Sequence, residues 1–255
     1  MLLAIDMGNT NITLGVYRED DLLLVSRLAT DTTRMRDQYA SDLLSLFQLH
    51  GVDAKQFSGA IVSSVVPTLD HAICEAVEMI VGRKPLLVGP GTKTGINIRI
   101  DNPAQLGADL LVGAVAAVAK VGSPCVIWDL GTATTVSVVG TGNTFLGGAI
   151  MPGIKTSLKS LVSNASLLHD ISFDPPRSVI GANTVACMQS GSVYGTAAMI
   201  DGMNRRIFAE LGQEVPLVVT GGLAKVVLPY CEHESTYDDN LLLEGLRIIY
   251  EKNKK

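Results

Sequence analysis

Aromatic side chains make up only 5% of the 255 residues, with a single tryptophan, and charged side chains only 18%. Set against 47% hydrophobic residues, that low charge excludes a disordered chain, which needs few apolar groups and excess charge. The shortage of rings implies cores packed with Val, Ile, Leu and Ala. No run is apolar for long enough to cross a bilayer: the longest, Leu110 to Ala119, has ten residues against roughly 20 needed. Asp6 interrupts the first apolar stretch and no basic region precedes it, so no secretory leader is expected. Basic residues form no run, and 20 Lys and Arg against 25 Asp and Glu give a net charge of −5, which argues against a nucleic-acid binder. The four cysteines (Cys74, Cys125, Cys187 and Cys231) show no Cys-x-x-Cys and read as buried, reduced thiols of a cytoplasmic protein. His50, His71, His169 and His233 have no metal-ligand spacing. Both GxxxxGK[ST] and GxGxxG after a strand are missing. The segment GPGTKTG at 89–95 is not a substitute, because Lys93 follows Gly91 without the four-residue cradle.

What is present is a long-period repeat. The length suits one large domain or two small ones. Residues 3–14 read LAIDMGNTNITL and residues 126–137 read VIWDLGTATTVS. Each is an apolar strand ending in Asp-x-Gly, then small hydroxyl or amide residues, then a β-branched strand. Asp6 matches Asp129 and Gly8 matches Gly131 at one offset of 123, close to half the chain.

Elements recur in the same order. Strands are predicted at 12–17 and 22–28, with Asp31 and Thr32 as caps for a helix carrying Tyr39, Leu43, Leu44 and Phe47 and closed by Gly51. A strand at 61–66, a helix at 68–81 and a short strand at 86–88 follow. A helix at 106–121 leads to Pro124, the boundary between expected domains 1–122 and 123–255. The second half offers strands at 125–129, 134–139 and 144–150, helices at 154–163, 184–211 and 240–252, and a strand at 217–220. Three strands, then alternating helices and strands, twice over, is the order of a duplicated α/β chain of two ribonuclease-H-like domains facing a nucleotide cleft.

A strand turning at Asp-x-Gly ends in a carboxylate, and glycine leaves backbone N–H groups bare, which makes an anion-binding concavity. Asn9, Thr10 and Thr132 add donors for phosphate oxygens. The carboxylates should then face a cation, since an unpaired Asp repels phosphate. Either corner alone also reads as an ordinary hairpin turn; the pair in register favours a polyphosphate.

Taken in order, DMGNTNIT at 6–13, SSVVP at 63–67, GPGTKTG at 89–95, GAD at 107–109, DLGTATT at 129–135 and TGG at 220–222 resemble the type III pantothenate kinases. These are bacterial coenzyme A biosynthesis enzymes of the acetate and sugar kinase, chaperone ATPase and actin superfamily. The resemblance implies an ATP-dependent phosphorylation of pantothenate, the first step of that pathway, by a cytoplasmic homodimer without membrane or nucleic-acid partners. It implies that Asp6, Met7, Gly8, Asn9, Thr10, Asn11, Ile12 and Thr13 form the first phosphate loop, with Asp6 near the magnesium of ATP. Thr132 would meet ATP phosphate, Asp129 a monovalent cation (potassium or ammonium), and Gly221 and Gly222 the adenosine. Ile100, Gly107, Ala108, Asp109 and Leu110 would meet pantothenate, with Asp109 as general base. Thr184 would be lent across a dimer interface. Asp109 also reads as a first-turn acid favoured by the helix dipole.

Two positions depart from the family pattern. Leu110 stands where GADR is usual, and Ile100 where a Tyr is usual. A lost charge-assisted hydrogen bond of about 1.5–3 kcal/mol corresponds to roughly 10- to 150-fold weaker binding. Two other readings follow: a kinase for a different small hydroxylated acceptor, or a non-catalytic nucleotide-binding regulator. Small residues at Gly191, Gly195, Ala198 and Gly202 leave one helix face open to close approach, within the chain or by a second copy.

Overall fold

A computed structural model of the chain describes residues 1–254. They divide into two compact units: Met1–Ile96 with Asp101–Ala119 and the residues from Asn240 onward, and Asn97–Ile100 with Lys120–Asp239.

The first unit opens with β1 (Leu2–Met7), β2 (Asn11–Arg18) and β3 (Asp21–Ala29), an antiparallel meander. Helix α1 (Arg36–Leu49) carries the chain over to β4 (Gly59–Ser64), which lies parallel to β1, and α2 (Asp70–Val81) leads to β5 (Leu86–Leu87). The sheet order is β3-β2-β1-β4-β5. Strand alternation sorts the side chains onto two faces. Leu3, Ile5 and Met7 join Ile12, Leu14 and Val16 beneath Tyr39, Leu43 and Phe47 of α1 and Ile73 and Val77 of α2. Leu2 and Ala4 join Tyr17 and Ile61 on the other face, under Val112 and Val115 of α3 (Ala108–Val121).

The second unit contains β7 (Cys125–Leu130), β8 (Ala133–Gly140), β9 (Thr144–Pro152), α4 (Ile154–Asn164), α5 (Thr184–Leu211), β10 (Leu217–Thr220), α6 (Ala224–Val227) and β11 (Thr236–Tyr237), with β6 (Asn97–Ile98) along β9. Its order, β11-β10-β7-β8-β9-β6, repeats that of the first sheet and adds one edge strand. The core gathers Val126, Trp128, Leu130 and Val219 against Ala197, Ile200 and Phe208 of α5. The fully buried Trp128 donates its indole N–H to Asn204 Oδ1 at 2.8 Å. Asp201, also buried, accepts from the Glu232 N–H and lies 3.0 Å from His233 Nδ1, which fastens the segment after α6 to α5.

The duplicated order is as expected, but the division of the chain is not a cut at 122/123. The last helix, α7 (Leu241–Asn253), returns to the first unit because Leu243, Leu246 and Ile249 complete the face formed by Leu2, Ala4 and Ile61. Its end clasps GPGTKTG: the Lys93 N–H donates to Asn253 Oδ1 at 3.0 Å and Asn253 Nδ2 donates to Lys93 O at 2.8 Å. That loop is a structural latch. Helix α1 begins later than Asp31 and Thr32 suggest. Its cap is Met35, whose N–H donates to the Gln38 side chain, while Asp31 is spent on a turn with Thr33. Of the four free cysteines only Cys125 is buried; Cys187 is exposed. The short elements β6, α6 and β11 carry too few residues for a periodic signal.

If α7 completes this core, Leu246→Ala should cost about 2–5 kcal/mol in denaturant unfolding. A change under about 0.5 kcal/mol would show that the helix is only peripheral.

Candidate active site

Both Asp-x-Gly corners are built alike. β1 and β7 share one burial sequence, four buried residues, a half-buried aspartate and a last buried residue. Asp6 and Asp129 thus stand at strand ends where the apolar interior stops. In the first corner the Gly8 N–H donates to Asn11 O at 3.0 Å. In the second the Gly131 N–H donates to Ala133 O at 3.1 Å. The corners differ by one residue: Asp6 pairs with Thr13, seven positions on, and Asp129 with Thr135, six on.

Each loop is strapped by a threonine that the sequence did not single out. Thr30 Oγ1 donates to Gly8 O at 2.7 Å, and Thr156 Oγ1 donates to Thr132 O at 2.8 Å. Asn9, Thr10, Asn11 and Thr132 are exposed, whereas Met7 and Ile12 are buried in the core and offer the loop only their backbone.

Glycines let neighbouring segments approach the second corner closely. A Cβ on Gly153, just before α4, would come within 2.4 Å of both Thr132 O and Gly131 O. The start of α4 therefore abuts the second loop, and helix N-termini favour anions. Gly221 has φ +99°, and a Cβ there would lie 2.6 Å from the Leu130 backbone. Gly222 faces open space. Gly153 was missed because a lone glycine before a helix is a common pattern; only the tertiary contact marks it.

The residues expected to meet the acceptor belong to different units. Gly107, Ala108, Asp109 and Leu110 belong to the first, at the head of α3, while Ile100 and Thr184 belong to the second. Asn102 Oδ1 accepts from the Ala104 N–H and shapes the approach to α3. Asp109 Oδ1 accepts from the Leu110 N–H at 2.8 Å. A Cβ on Gly107 would meet that oxygen at 2.4 Å, so glycine is required for the carboxylate to lie there. Desolvation raises the Asp109 carboxyl above its ordinary value near 3.8, opposed by the hydrogen bond from Leu110. Val112, one turn along α3, packs on the same sheet face as Leu2 and Ala4, the face to which alternation assigns Asp6. Asp6 and Asp109 thus lie on elements that pack at one sheet face of the first unit.

Ile100 stands beside Gly147. Thr184 opens α5 and is exposed. It lines a 740 Å³ cavity with Met151, Leu158, Met188, Gly191 and Gly195. Nothing lies within 4 Å of a Cβ built on Gly191 or Gly195, so the small-residue face is uncovered there.

A family model described as type III pantothenate kinase matches residues 2–206. A type III pantothenate kinase of Moorella thermoacetica is 42% identical over 253 residues, covering 99% of this chain and 100% of the relative. The chain belongs to the type III pantothenate kinase family. A second type III pantothenate kinase, from Anaeromyxobacter dehalogenans, is 44% identical over 254 residues, with 100% of both chains covered. The crystal structure of a protein from Campylobacter jejuni described as a conserved putative Baf family transcriptional activator shares the fold, with a TM-score of 0.58 at 20% identity and 98% of each chain covered. In this type III pantothenate kinase family member, no group of three or more His, Cys, Asp or Glu side chains among the described residues forms a metal cluster. Magnesium suits such a site when phosphate oxygens and waters supply most of its ligands.

A carboxyl whose folded value is raised contributes stability that is present in full below about 3.8 and is lost as pH climbs through the raised value. Asp109→Asn stays neutral. Its thermal midpoint should match the parent's at the acid end and exceed it once pH has climbed through the raised value. Parallel curves would mean that the Asp109 charge is well solvated.

Proposed function

We propose that the chain transfers the γ-phosphoryl group of ATP to the terminal hydroxyl of pantothenate, in the cytoplasm, as the first step of coenzyme A biosynthesis. The observation that carries this reading is Asp109: a half-buried carboxylate with a raised protonation value, seated by Gly107 at the head of α3 over the sheet face that bears Asp6.

Phosphoryl transfer needs positioning and charge neutralisation more than covalent chemistry. The acceptor oxygen forms a bond to the γ-phosphorus, the bond to the ADP oxygen breaks, and the hydroxyl proton passes to Asp109. Gly8, Asn9, Thr10, Asn11, Thr13 and Thr132 offer backbone and side-chain donors to phosphate oxygens. Met7 and Ile12 hold the first loop from the core side. Gly221 and Gly222 leave room for the adenosine. The hard oxygen donors here fit magnesium at Asp6, which would neutralise phosphate charge, and a monovalent cation (potassium or ammonium) at Asp129. Gly107, Ala108, Asp109 and Leu110 meet the acceptor, with Ile100 as a further contact. The uncovered α5 face at Gly191 and Gly195 supports a homodimer in which Thr184 reaches the partner's acceptor.

Leu110 and Ile100 favour a second reading, a less polar hydroxylated acceptor, because an isobutyl group supplies none of the donors of a guanidinium.

With ATP, magnesium, potassium and pantothenate, ADP release and a phosphorylated product seen by mass spectrometry are expected. Asp109→Asn should abolish turnover; an active variant would remove Asp109 as the base. Leu110→Arg should raise pantothenate turnover roughly tenfold or more if the missing cation limits binding. Product from another hydroxylated acid and none from pantothenate would select the second reading, and nucleotide binding without any product would favour a regulator. Gly195→Arg should convert the dimer to monomers in light scattering.

A further inference from the structure

Asp6 does not stand alone on its sheet face. β4 lies parallel to β1 with Ser63 directly opposite Asp6, and β2 sets Thr13 opposite Asp6 on the other side. Residues paired across neighbouring strands share a face, with strands about 4.8 Å apart. The row Thr13–Asp6–Ser63 therefore crosses the end of the sheet on the side where Leu2, Ala4 and Ile61 bury their side chains.

Ser63 has no solvent exposure, and its Oγ has no hydrogen-bond partner among the described residues. Its neighbour Ser64 is occupied, accepting from the Val66 N–H at 3.0 Å. Leaving a buried hydroxyl unpaired costs stability. Such a group in a native fold calls for an explanation.

The internal repeat supplies a second, independent indication. In the other unit the strand parallel to β7 places Thr220 opposite Asp129. Ser63 is thus the counterpart of Thr220, the residue that opens the Thr220-Gly221-Gly222 segment. Each unit sets a hydroxyl beside its strand-end aspartate, in the same register, on the strand that follows the crossover.

We propose that Ser63 is a positioning residue of the nucleotide site: its Oγ accepts a hydrogen bond from a water on the magnesium that Asp6 holds. This rests on the kinase reading above. It explains a polar atom buried without a partner as one whose partner arrives with the metal–nucleotide complex. Hydrated magnesium keeps several waters, and a neutral hydroxyl can accept from one without adding charge beside phosphate.

The test is calorimetric binding of ADP to the whole protein, with magnesium and with the metal removed by EDTA. Ser63→Ala should bind magnesium-ADP roughly tenfold more weakly, bind metal-free ADP as the parent does, and have an unligated thermal midpoint no lower than the parent's. Ser63→Thr, which keeps the hydroxyl, should restore most of the magnesium-dependent affinity. Ser63→Cys, close in size but a poor acceptor, should not, and it serves if Ser63→Ala fails to fold. Equal magnesium-ADP affinity in parent, Ser63→Ala and Ser63→Cys would overturn the proposal and assign the hydroxyl to a buried water. An affinity loss of the same size without metal would overturn it too, as a purely structural effect. A parent protein that binds no magnesium-ADP would overturn the kinase reading as well. Normal parental binding with unaffected variants sinks only the role of Ser63.

Discussion

A carboxylate at the end of an otherwise buried strand stands where the apolar interior stops, and any charge withdrawn from water there is repaid only by a cation or by hydrogen-bond donors. This chain builds it twice, at Asp6 and Asp129, each after a run of four fully packed residues. Glycine stands where a side chain would collide with its neighbours: Gly153 against the carbonyls of the second loop, Gly221 against Leu130, Gly107 against Asp109. Threonine straps at Thr30 and Thr156 then fix the loops by their carbonyls. The first-loop donors are left facing outward.

Duplication explains the shared order of the two sheets, and the differences mark a division of labour. The second loop is one residue tighter and abuts the start of α4, so a helix N-terminus favours anions there. The first unit carries the carboxylate proposed as base, on a helix that packs over the face holding Asp6. Helix α7 belongs with the first unit because its apolar stripe, Leu243, Leu246 and Ile249, fills that face. Its far end secures the GPGTKTG loop through Asn253. A glycine-rich segment without the spacing of a phosphate cradle is thereby a latch to the C-terminal helix.

The corners were legible because a carboxylate, a glycine and flanking β-branched runs all sit within a dozen residues, and local spacing controls local turns. Helix α5 and strand β10 were legible to the residue for the same reason: continuous periodicity bounded by clear stops. The start of α1 was not, since Asp31 had a competing partner in Thr33 and the helix took its cap from Gln38. Gly153, Thr30, Thr156 and Ser63 carry no local signature. Each acquires meaning only from a contact or register partner distant in sequence.

The amino-acid sequence by itself determined the duplicated α/β order and the strand-end carboxylates, because alternation and turn chemistry act over a few residues. It also carried the departures from the family pattern at Leu110 and Ile100. Only the tertiary structure decided where the last helix belongs, which glycines guard the corners, and that a buried serine hydroxyl stands in register with Asp6. Those outcomes follow from the closure of apolar faces and the pairing of strands across long loops, and no short stretch of sequence encodes either one.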